Sequence, residues 1–193
     1  GTDEHGRVNI LGIGRAPSDG MTRGVVTHID RTTNAITAAI QEAQATSGVS
    51  ITSVIVGIAG DHIQSFQSRG VISISGAEHE VSQGDIDRLI EDCKRVALPS
   101  DRKIIHVIPQ EFIIDGQDGV YDPLGMSGVR MEANVHIITG LVSAAQNIYR
   151  CVQRAGLEVS DMVLEPLASS YAVLDDEEKE VGIALIDVGG GTT

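Results

Sequence analysis

The strongest constraint on the fold comes from an apolar run, residues 181–186, that leads into Asp187 and a glycine-rich stretch. The stretch consists of Gly189, Gly190, Gly191, Thr192 and Thr193. Such a run predicts a buried strand, and glycines after a strand predict a turn. Glycines let backbone N–H groups approach a phosphate, and a carboxylate at a strand end can hold a hydrated Mg²⁺. The alternative is a hairpin turn, in which glycine only supplies positive φ.

Composition limits the classes of protein that this chain can form. Its 193 residues are 41% hydrophobic and include no Trp, so they can bury one aliphatic core or two small ones. The net charge of −13 argues against a nucleic-acid groove or a polybasic membrane patch. No apolar run approaches the roughly 20 residues of a spanning helix, and none resembles a signal peptide. Cys93 and Cys151 fall within helical apolar patterns, which favours buried thiols. We therefore expect a soluble cytoplasmic protein that binds no nucleic acid.

The first part of the chain predicts an α/β unit. Residues 8–13 alternate like a strand, and apolar residues recur at helical spacing over residues 32–46, before Gly48. Residues 53–60 form an unbroken apolar run, as expected for a strand covered on both faces of its sheet. Strand, helix and strand in this order are typical of an α/β fold.

The pattern changes over residues 61–139, which predicts an inserted module. Ser82 followed by Asp85 is a capping-box pattern that opens a helix. Such a module leaves one face of a small sheet covered by the helix and the other free to meet a partner. Its predicted elements are a strand over residues 63–75 interrupted at 68–70, the helix after Ser82, and strands over 103–114 and 129–139.

After the insertion the α/β pattern returns. A helix is predicted over residues 142–155 and a short strand over 161–164, which leads to Glu165. Pro166 suits the first position of a further helix. The acidic run at residues 175–180 predicts a solvated connection before the final strand.

Two constellations within the module have both a functional and an ordinary interpretation. His106 and His136 lie on predicted strands and are either a metal pair or histidines on a strand face. Residues 113–130 are rich in Asp and Gly, so they suggest a calcium loop, but their spacing does not fit an EF-hand. A mobile connection is the other interpretation of this segment.

Four blocks of the sequence resemble those of the bacterial cell-division FtsA family. They are HVIPQEFIID (residues 106–115), SGVRMEANVHIITG (127–140), LASSYAVL (167–174) and IDVGGGTT (186–193). The resemblance implies an α/β, ribonuclease-H-like core of the actin-like class, called subdomain 1A, with an inserted strand-helix-strand-strand subdomain of α+β type, called 1C. Residues 1–60 and 140–193 would then form an incomplete subdomain 1A, and residues 61–139 would form subdomain 1C.

The resemblance also implies roles for the residues of the closing stretch. Asp187 matches the aspartate that organises Mg²⁺ through water in actin-like ATPases, and Glu165 falls where relatives place a polar residue that orients the attacking water. An N-cap for the helix of Pro166 is the alternative role for Glu165. The residues that match the second phosphate loop, whose N–H groups hold the β- and γ-phosphates, are Gly189, Gly190, Gly191 and Thr192.

For the function, the resemblance implies a nucleotide-regulated scaffold that uses ATP and Mg²⁺ in the intact protein. Members of the family tether FtsZ filaments to the inner face of the cell membrane at the division site. Their subdomain 1C mediates self-association and contacts with later division proteins. FtsZ and the membrane would be contacted by a region and a C-terminal helix that we expect to be missing here.

Departures from the family pattern lead to further expectations and leave rivals open. Nothing before residue 8 supplies a first phosphate loop, so we expect a piece of a longer protein that binds ATP weakly or not at all. The intact protein would be at most a weak ATPase. One rival is a working sugar kinase or chaperone-type ATPase, which would need that loop and a catalytic aspartate. The other is the actin-like platform protein of a type IV pilus system, which shares the inserted-module arrangement.

Overall fold

The computed structural model describes residues 9–76 and 78–192. Val8 and Thr193, which the sequence assigns to a strand and to the glycine-rich stretch, lie outside these ranges. The chain forms two compact units. Gly1–Asp61 and Val142–Thr193 make up the first unit, and His62–Leu141 makes up the second unit. Within the described ranges, no helix combines the length and the apolar character needed to cross a bilayer.

The secondary-structure elements are numbered along the chain. They are β1 (Met21–Thr22), β2 (Val25–Val26), α1 (Ile29–Ser47), β3 (Ser53–Ile58), β4 (Gln64–Ser73), α2 (Gln83–Cys93), β5 (Arg102–Ile114), β6 (Gln117–Val120), β7 (Arg130–Leu141), α3 (Val142–Arg154), β8 (Glu158–Leu164), α4 (Glu165–Val173) and α5 (Asp176–Val181). Strands β1 and β2 form a hairpin, β3 pairs in parallel with β8, and the second unit has an antiparallel sheet of order β4-β7-β5-β6.

The predicted helices are confirmed, because local chemistry sets their ends. Gly48 has φ +69° after α1, and its N–H donates to the Gln44 carbonyl at 2.9 Å. At the start of α2, the hydroxyl of Ser82 accepts from the backbone N–H of Asp85, while the Asp85 carboxylate accepts from the backbone N–H of Ser82. Pro166 lies in the first turn of α4 as expected.

Helices α1 and α3 pack together and cover one face of the parallel pair β3 and β8. Cys151 on α3 is fully buried, and Arg154 donates to Asp30 of α1 at 2.8 Å. On β3, Ile58 is 1% exposed whereas Ile55 is 69% exposed. The prediction of a strand covered on both faces is therefore wrong, because the side of β3 that carries Ile55 is exposed.

The core of the second unit lies between α2 and one face of its sheet. Leu89 of α2 and the β7 residue Met131 are both 0% exposed, and Cys93 contacts the same cluster. Strand β4 pairs with β7 without a break, so the predicted interruption at residues 68–70 is wrong. A Cβ on Gly70 would lie 2.5 Å from Cys93 Sγ, so this glycine makes room for the helix and does not end the strand.

The predicted strand at residues 8–13 is wrong for its described part, because residues 9–13 form no strand. Their backbone lies against α1, where the Thr46 hydroxyl donates to the Ile13 carbonyl at 3.3 Å. A Cβ on Gly14 would lie 1.7 Å from the Ala39 carbonyl oxygen, so the segment approaches the helix backbone closely. The segment therefore packs on helix α1 and does not pair with a strand.

The predicted strand at residues 181–186 is also wrong. Val181 is the last residue of α5, and residues 182–186 lie in no strand. Ile186 is 73% exposed, and β3 and β8 pair with each other and not with this run. The acidic run, predicted as a connection, forms the exposed helix α5. Asp175 and Glu178 complete a capping box at the start of this helix, and its last residue is the first residue of the apolar run.

The segment of residues 113–130 contains strand β6, which the sequence interpretation missed. Asp115 and Gly116 have φ +48° and +89°, as in a type I′ turn, and they join β5 to β6. The Asp115 carboxylate accepts from the backbone N–H groups of Val129 and Arg130 at 2.9 to 3.2 Å. Part of the segment is therefore a hairpin strand where the sequence predicts only a connection, and the Asp115 carboxylate ties its two ends together.

Candidate functional site

The glycine-rich stretch forms a tight turn at the edge of a cleft in the first unit. The Gly189 N–H donates to the Thr192 carbonyl at 2.9 Å. Gly190, Gly191 and Thr192 line the cleft, whose volume is about 670 Å³. All three glycines are described and none has positive φ, and no strand precedes them, so the hairpin-turn alternative is wrong. A Cβ on Gly190 would meet no atom within 4 Å, so the backbone here faces open space.

Two carboxylates are brought together beside this turn. Asp187 accepts a hydrogen bond from the Ser169 hydroxyl at 2.7 Å. Burial, and then the charge of Asp187, raise the pKa of Glu165, which also lines the cleft. Glu165 and Ser169 are four residues apart on α4, so their side chains lie on one face of that helix.

The start of α4 decides between the two roles considered for Glu165. Leu164 is the N-cap of this helix, and Glu165 is its first helical residue. The capping alternative is therefore wrong, because a side-chain cap must come from the residue before the helix. The side chain of Glu165 instead packs over Gly57 of β3, where a Cβ would lie 2.8 Å from Glu165 Cγ.

Ser169 and Gly57 are site residues that the sequence interpretation missed. An isolated glycine within an apolar strand signals a close approach by another group, and Gly57 fits that rule. Ser169 follows Glu165 by one helical turn, so the spacing alone places it on the same face. The contact with Asp187 spans 18 residues and depends on tertiary structure.

The rest of the cleft lining comes from the β1–β2 hairpin and from one residue of the loop that precedes the hairpin. Its members are Ser18, Met21, Thr22, Arg23 and Gly24. Backbone N–H groups at the glycine turn and the guanidinium of Arg23 can bind anionic oxygens, whereas Asp187 offers a carboxylate for a hydrated cation. The residues present are thus chemically suited to a phosphate group with its Mg²⁺.

The histidines of the second unit lie on adjacent strands. His106 of β5 is opposite Ile138, and Ile108 is opposite His136 of β7. Among the described residues, no group of three or more His, Cys, Asp and Glu side chains is arranged to hold a metal ion. The same holds for the Asp-rich segment that suggested a calcium loop.

The face of the second unit's sheet opposite α2 carries a polar network. Glu132 is 4% exposed, accepts from Arg69 Nε at 2.7 Å, and lies 3.0 Å from Arg130 Nη2. Asn134 donates to Glu111 at 2.8 Å on the neighbouring strand. Beside these groups lies a second cleft of about 440 Å³, lined in part by Arg69, Glu111 and Asn134. We call this surface the polar face.

Comparisons with known proteins agree with these features. Residues 60–139 match the family model described as the SHS2 domain inserted in FtsA. Cell division protein FtsA of Pseudomonas aeruginosa is 50% identical over 188 residues, which are 97% of this chain and 45% of that protein. Cell division protein FtsA of Escherichia coli K12 is 41% identical over 187 residues, which are 97% of this chain and 44% of that protein.

A solved structure is similar at the level of the fold. A chain of the PilM-PilN type IV pilus biogenesis complex matches with a TM-score of 0.53 and 13% identity, over 80% of this chain and 40% of that chain. With the family model, this match confirms the predicted fold class, an α/β actin-like core with an inserted module. We conclude that this chain, which spans about 45% of the length of the curated relatives it matches, belongs to the FtsA family of cell division proteins.

Proposed function

We propose that the chain is part of a cell-division scaffold of the FtsA type. In the intact protein, the cleft of the first unit would bind Mg-ATP, and the second unit would contact other division proteins. The observation that carries the nucleotide site is the convergence of Gly190, Gly191 and Glu165 on one cleft, with the charge of Asp187 acting on Glu165. The division role is supported by relatives of 40 to 50% identity that are named cell division protein FtsA.

Each residue of the cleft would have a separate task. The N–H groups of Gly190, Gly191 and Thr192 would hold the β- and γ-phosphates, because such groups can point at an anion. The N–H of Gly189 already donates to the Thr192 carbonyl and would hold the turn in shape. Asp187 would hold the water shell of Mg²⁺, whose charge offsets that of the phosphates. The Ser169 hydroxyl, at 2.7 Å, keeps the Asp187 carboxylate in place.

Glu165 is suited to orient an attacking water. Its raised pKa, caused by burial and by Asp187, brings the carboxylate nearer to the proton affinity that a general base needs. In the intact protein this carboxylate would take part in the weak ATP hydrolysis that the resemblance implies. We therefore propose that nucleotide regulates assembly and that turnover is not the main output.

The remaining proposed partners, FtsZ and the cell membrane, concern the intact protein. We propose that it tethers FtsZ filaments to the inner face of the cell membrane at the division site, through segments outside these 193 residues. The pilus-platform alternative is less well supported, because that match has 13% identity whereas FtsA of Pseudomonas aeruginosa has 50%. The sugar-kinase or chaperone-type alternative would need a first phosphate loop and a catalytic aspartate for a substrate hydroxyl.

The nucleotide site is tested by Asp187→Ala in the intact protein. We expect calorimetric titration with Mg-ATP to give no measurable binding, while the melting temperature stays near wild type, because residues 182–192 pair with no strand. Asp176→Ala is the matched control, since Asp176 is a fully exposed carboxylate on α5 of the same unit. Equal Mg-ATP affinity in wild type and Asp187→Ala would refute the assignment.

The assembly role is tested on the polar face. Val71 of β4 lies opposite Glu132 of β7, and it is 43% exposed. We expect Val71→Glu to abolish self-association in sedimentation velocity, because it places a second carboxylate beside Glu132. Val129→Glu is the control, since Val129 is 58% exposed in the same unit but outside the sheet. Polymers of Val71→Glu that match wild type in size would contradict this surface. Deletion of residues 61–139 with bridged ends should remove self-association as well.

A further inference from the structure

The tip of the β1–β2 hairpin is held in one place by two close contacts. Thr22 pairs with Val25, so Arg23 and Gly24 form the two-residue turn, with φ +48° and +74°. Both values are positive, as in a type I′ turn. A Cβ on Gly24 would lie 2.2 Å from the Ala59 carbonyl oxygen, so the hairpin packs against the chain just after β3. The position of Arg23 is therefore set by backbone packing on both sides of the turn.

The hairpin tip lies beside the glycine turn at the edge of the cleft. A Cβ on Gly191 would lie 3.6 Å from the backbone nitrogen of Arg23, so the two turns approach each other closely. Both line the same space of about 670 Å³. Among the described residues that line it, Arg23 is the only one with a basic side chain, and Glu165 is the only one with an acidic side chain.

The charge of the chain favours a cationic side chain beside a polyphosphate ligand, in addition to its Mg²⁺. The chain has 27 Asp and Glu against 14 Lys and Arg, and two carboxylates lie at or beside this cleft. An anion that approaches such a surface is repelled unless a cation compensates at the point of contact. Backbone N–H groups at the glycine turn carry only partial charges.

The guanidinium of Arg23 is available for that task. Its ion pair is with Asp61 at 3.9 Å, and the two side chains are 74% and 81% exposed. An exposed pair at this distance contributes little, so a ligand can replace Asp61 at small cost. A guanidinium presents parallel N–H groups that match two phosphate oxygens, which a single ammonium does not.

We propose that Arg23 is the cationic side of the phosphate site and binds the terminal phosphates of a nucleoside triphosphate beside the glycine turn. This proposal rests on the proposed function of the cleft, and it adds one side chain to the phosphate contacts assigned there. The adenosine part of the ligand takes no part in this contact.

Calorimetric titration of the intact protein tests the proposal with Mg-ATP and with adenosine. We expect Arg23→Ala to weaken Mg-ATP binding by about tenfold or more, since it removes charge-assisted hydrogen bonds, and to leave adenosine binding unchanged. Arg23→Lys should retain part of the affinity, because it keeps the charge and loses the paired N–H groups. Neither variant should alter the melting temperature, because the side chain is 74% exposed.

Arg31→Ala is the matched control. Arg31 lies in the same unit, is 63% exposed, and pairs with Asp19 at 3.6 Å outside the cleft. It removes the same charge, so an equal loss of affinity in Arg31→Ala and Arg23→Ala would overturn the proposal by showing a general charge effect. An equal loss of adenosine and Mg-ATP affinity in Arg23→Ala would also overturn it, because Arg23 would then shape the cleft.

The same titrations distinguish a failure of this proposal from a failure of the proposed function. If wild type binds Mg-ATP, Asp187→Ala does not, and Arg23→Ala binds as well as wild type, the role of Arg23 is refuted and the nucleotide site stands. If wild-type intact protein shows no Mg-ATP binding, the nucleotide site itself is refuted and the role of Arg23 is refuted with it.

Discussion

Asp85 is the buried charge on which the second unit most depends. Its side chain is 0% exposed, and its two oxygens accept five hydrogen bonds. The donors are the N–H and hydroxyl of Ser75, the N–H and hydroxyl of Ser82, and Arg88 Nη2. The hydroxyl bonds measure 2.6 Å and the guanidinium bond 2.7 Å. The hydrogen bonds from Ser75 and Ser82 hold the pKa of Asp85 well below its usual range, against the opposing effect of burial.

The expected cost of Asp85→Asn follows from these contacts. Asparagine keeps the volume and one acceptor oxygen, but its NH₂ group would face donors that now bond to the second oxygen. About two charge-assisted bonds are replaced by neutral or missing ones, each at a cost of about 1 to 1.5 kcal/mol. We therefore expect the free energy of unfolding of the second unit to fall by about 2 to 3 kcal/mol at pH 7.

The pH dependence of the free energy of unfolding provides a second test of this expectation. A carboxyl with a lowered pKa in the folded state stabilises fully above its unfolded pKa of about 3.9, and that stability is lost as the pH falls further. The difference between wild type and Asp85→Asn should therefore shrink by about 1 kcal/mol at pH 3. Amide hydrogen exchange of α2 is the measurement, because it reports on the second unit even if the two units unfold separately.

Asp87→Asn is the control for the loss of a charge on the same helix. Asp87 is exposed and accepts one bond, from the Gln83 side chain at 2.9 Å. We expect its effect to stay within about 0.5 kcal/mol. The reasoning fails if Asp85→Asn matches Asp87→Asn at pH 7, or if its deficit is undiminished at pH 3.

Two further predictions each test one close contact, the first in the second unit and the second in the first unit. Gly70→Ala should lower the free energy of unfolding by about 1 to 3 kcal/mol, because its Cβ would lie 2.5 Å from Cys93 Sγ. Gly84→Ala in α2 has no contact closer than 3.7 Å and should stabilise by about 0.5 to 1 kcal/mol, and both are measured by urea unfolding. Equal effects would contradict the packing at Gly70. Ser169→Ala should reduce the Mg²⁺-dependent part of ATP affinity, with rescue by Ser169→Thr, because it removes the donor to Asp187. Titrations with and without Mg²⁺ decide this, and an unchanged Mg²⁺ dependence would rule it out.

The helices could be predicted from the sequence because their ends depend on neighbouring residues. Ser82 and Asp85 are three residues apart, and Gly48 follows the last residue of α1 directly. These signals need no tertiary contact to act. The type I′ turn at Asp115 and Gly116 was equally local, and β6 was missed because those residues were considered as calcium ligands and not as a hairpin signal.

The two wrong strands have a common physical cause. Residues 9–13 and 181–186 have apolar residues at strand-like spacing, but a strand forms only when another strand satisfies its backbone groups. The first segment bonds to side chains of α1, and part of the second is taken into α5. Periodicity describes the faces of a segment and contains no information about its partner.

The residues of the candidate site also divide into those that could be found from the sequence and those that could not. Asp187 and the glycine turn were found because they are contiguous, and Glu165 was found only through the resemblance, because it falls where relatives place a polar residue. Arg23 and Ser169 were missed because their relation to the turn spans 168 and 18 residues of chain, respectively. A site made from one contiguous wall and one distant wall is only half visible in a sequence.

The parallel pair explains why the first unit can accept an inserted unit without loss of the cleft. Ligands of open α/β sheets lie beyond the carboxyl ends of the strands. Strand β3 ends at Ile58, followed by Ala59 against the hairpin, and β8 ends at Leu164, followed by Glu165 in the cleft. Parallel neighbours always need a long crossover between them. Because the insert lengthens that crossover and takes no part in the pairing of β3 with β8, the strand ends that border the cleft are set by the first unit itself.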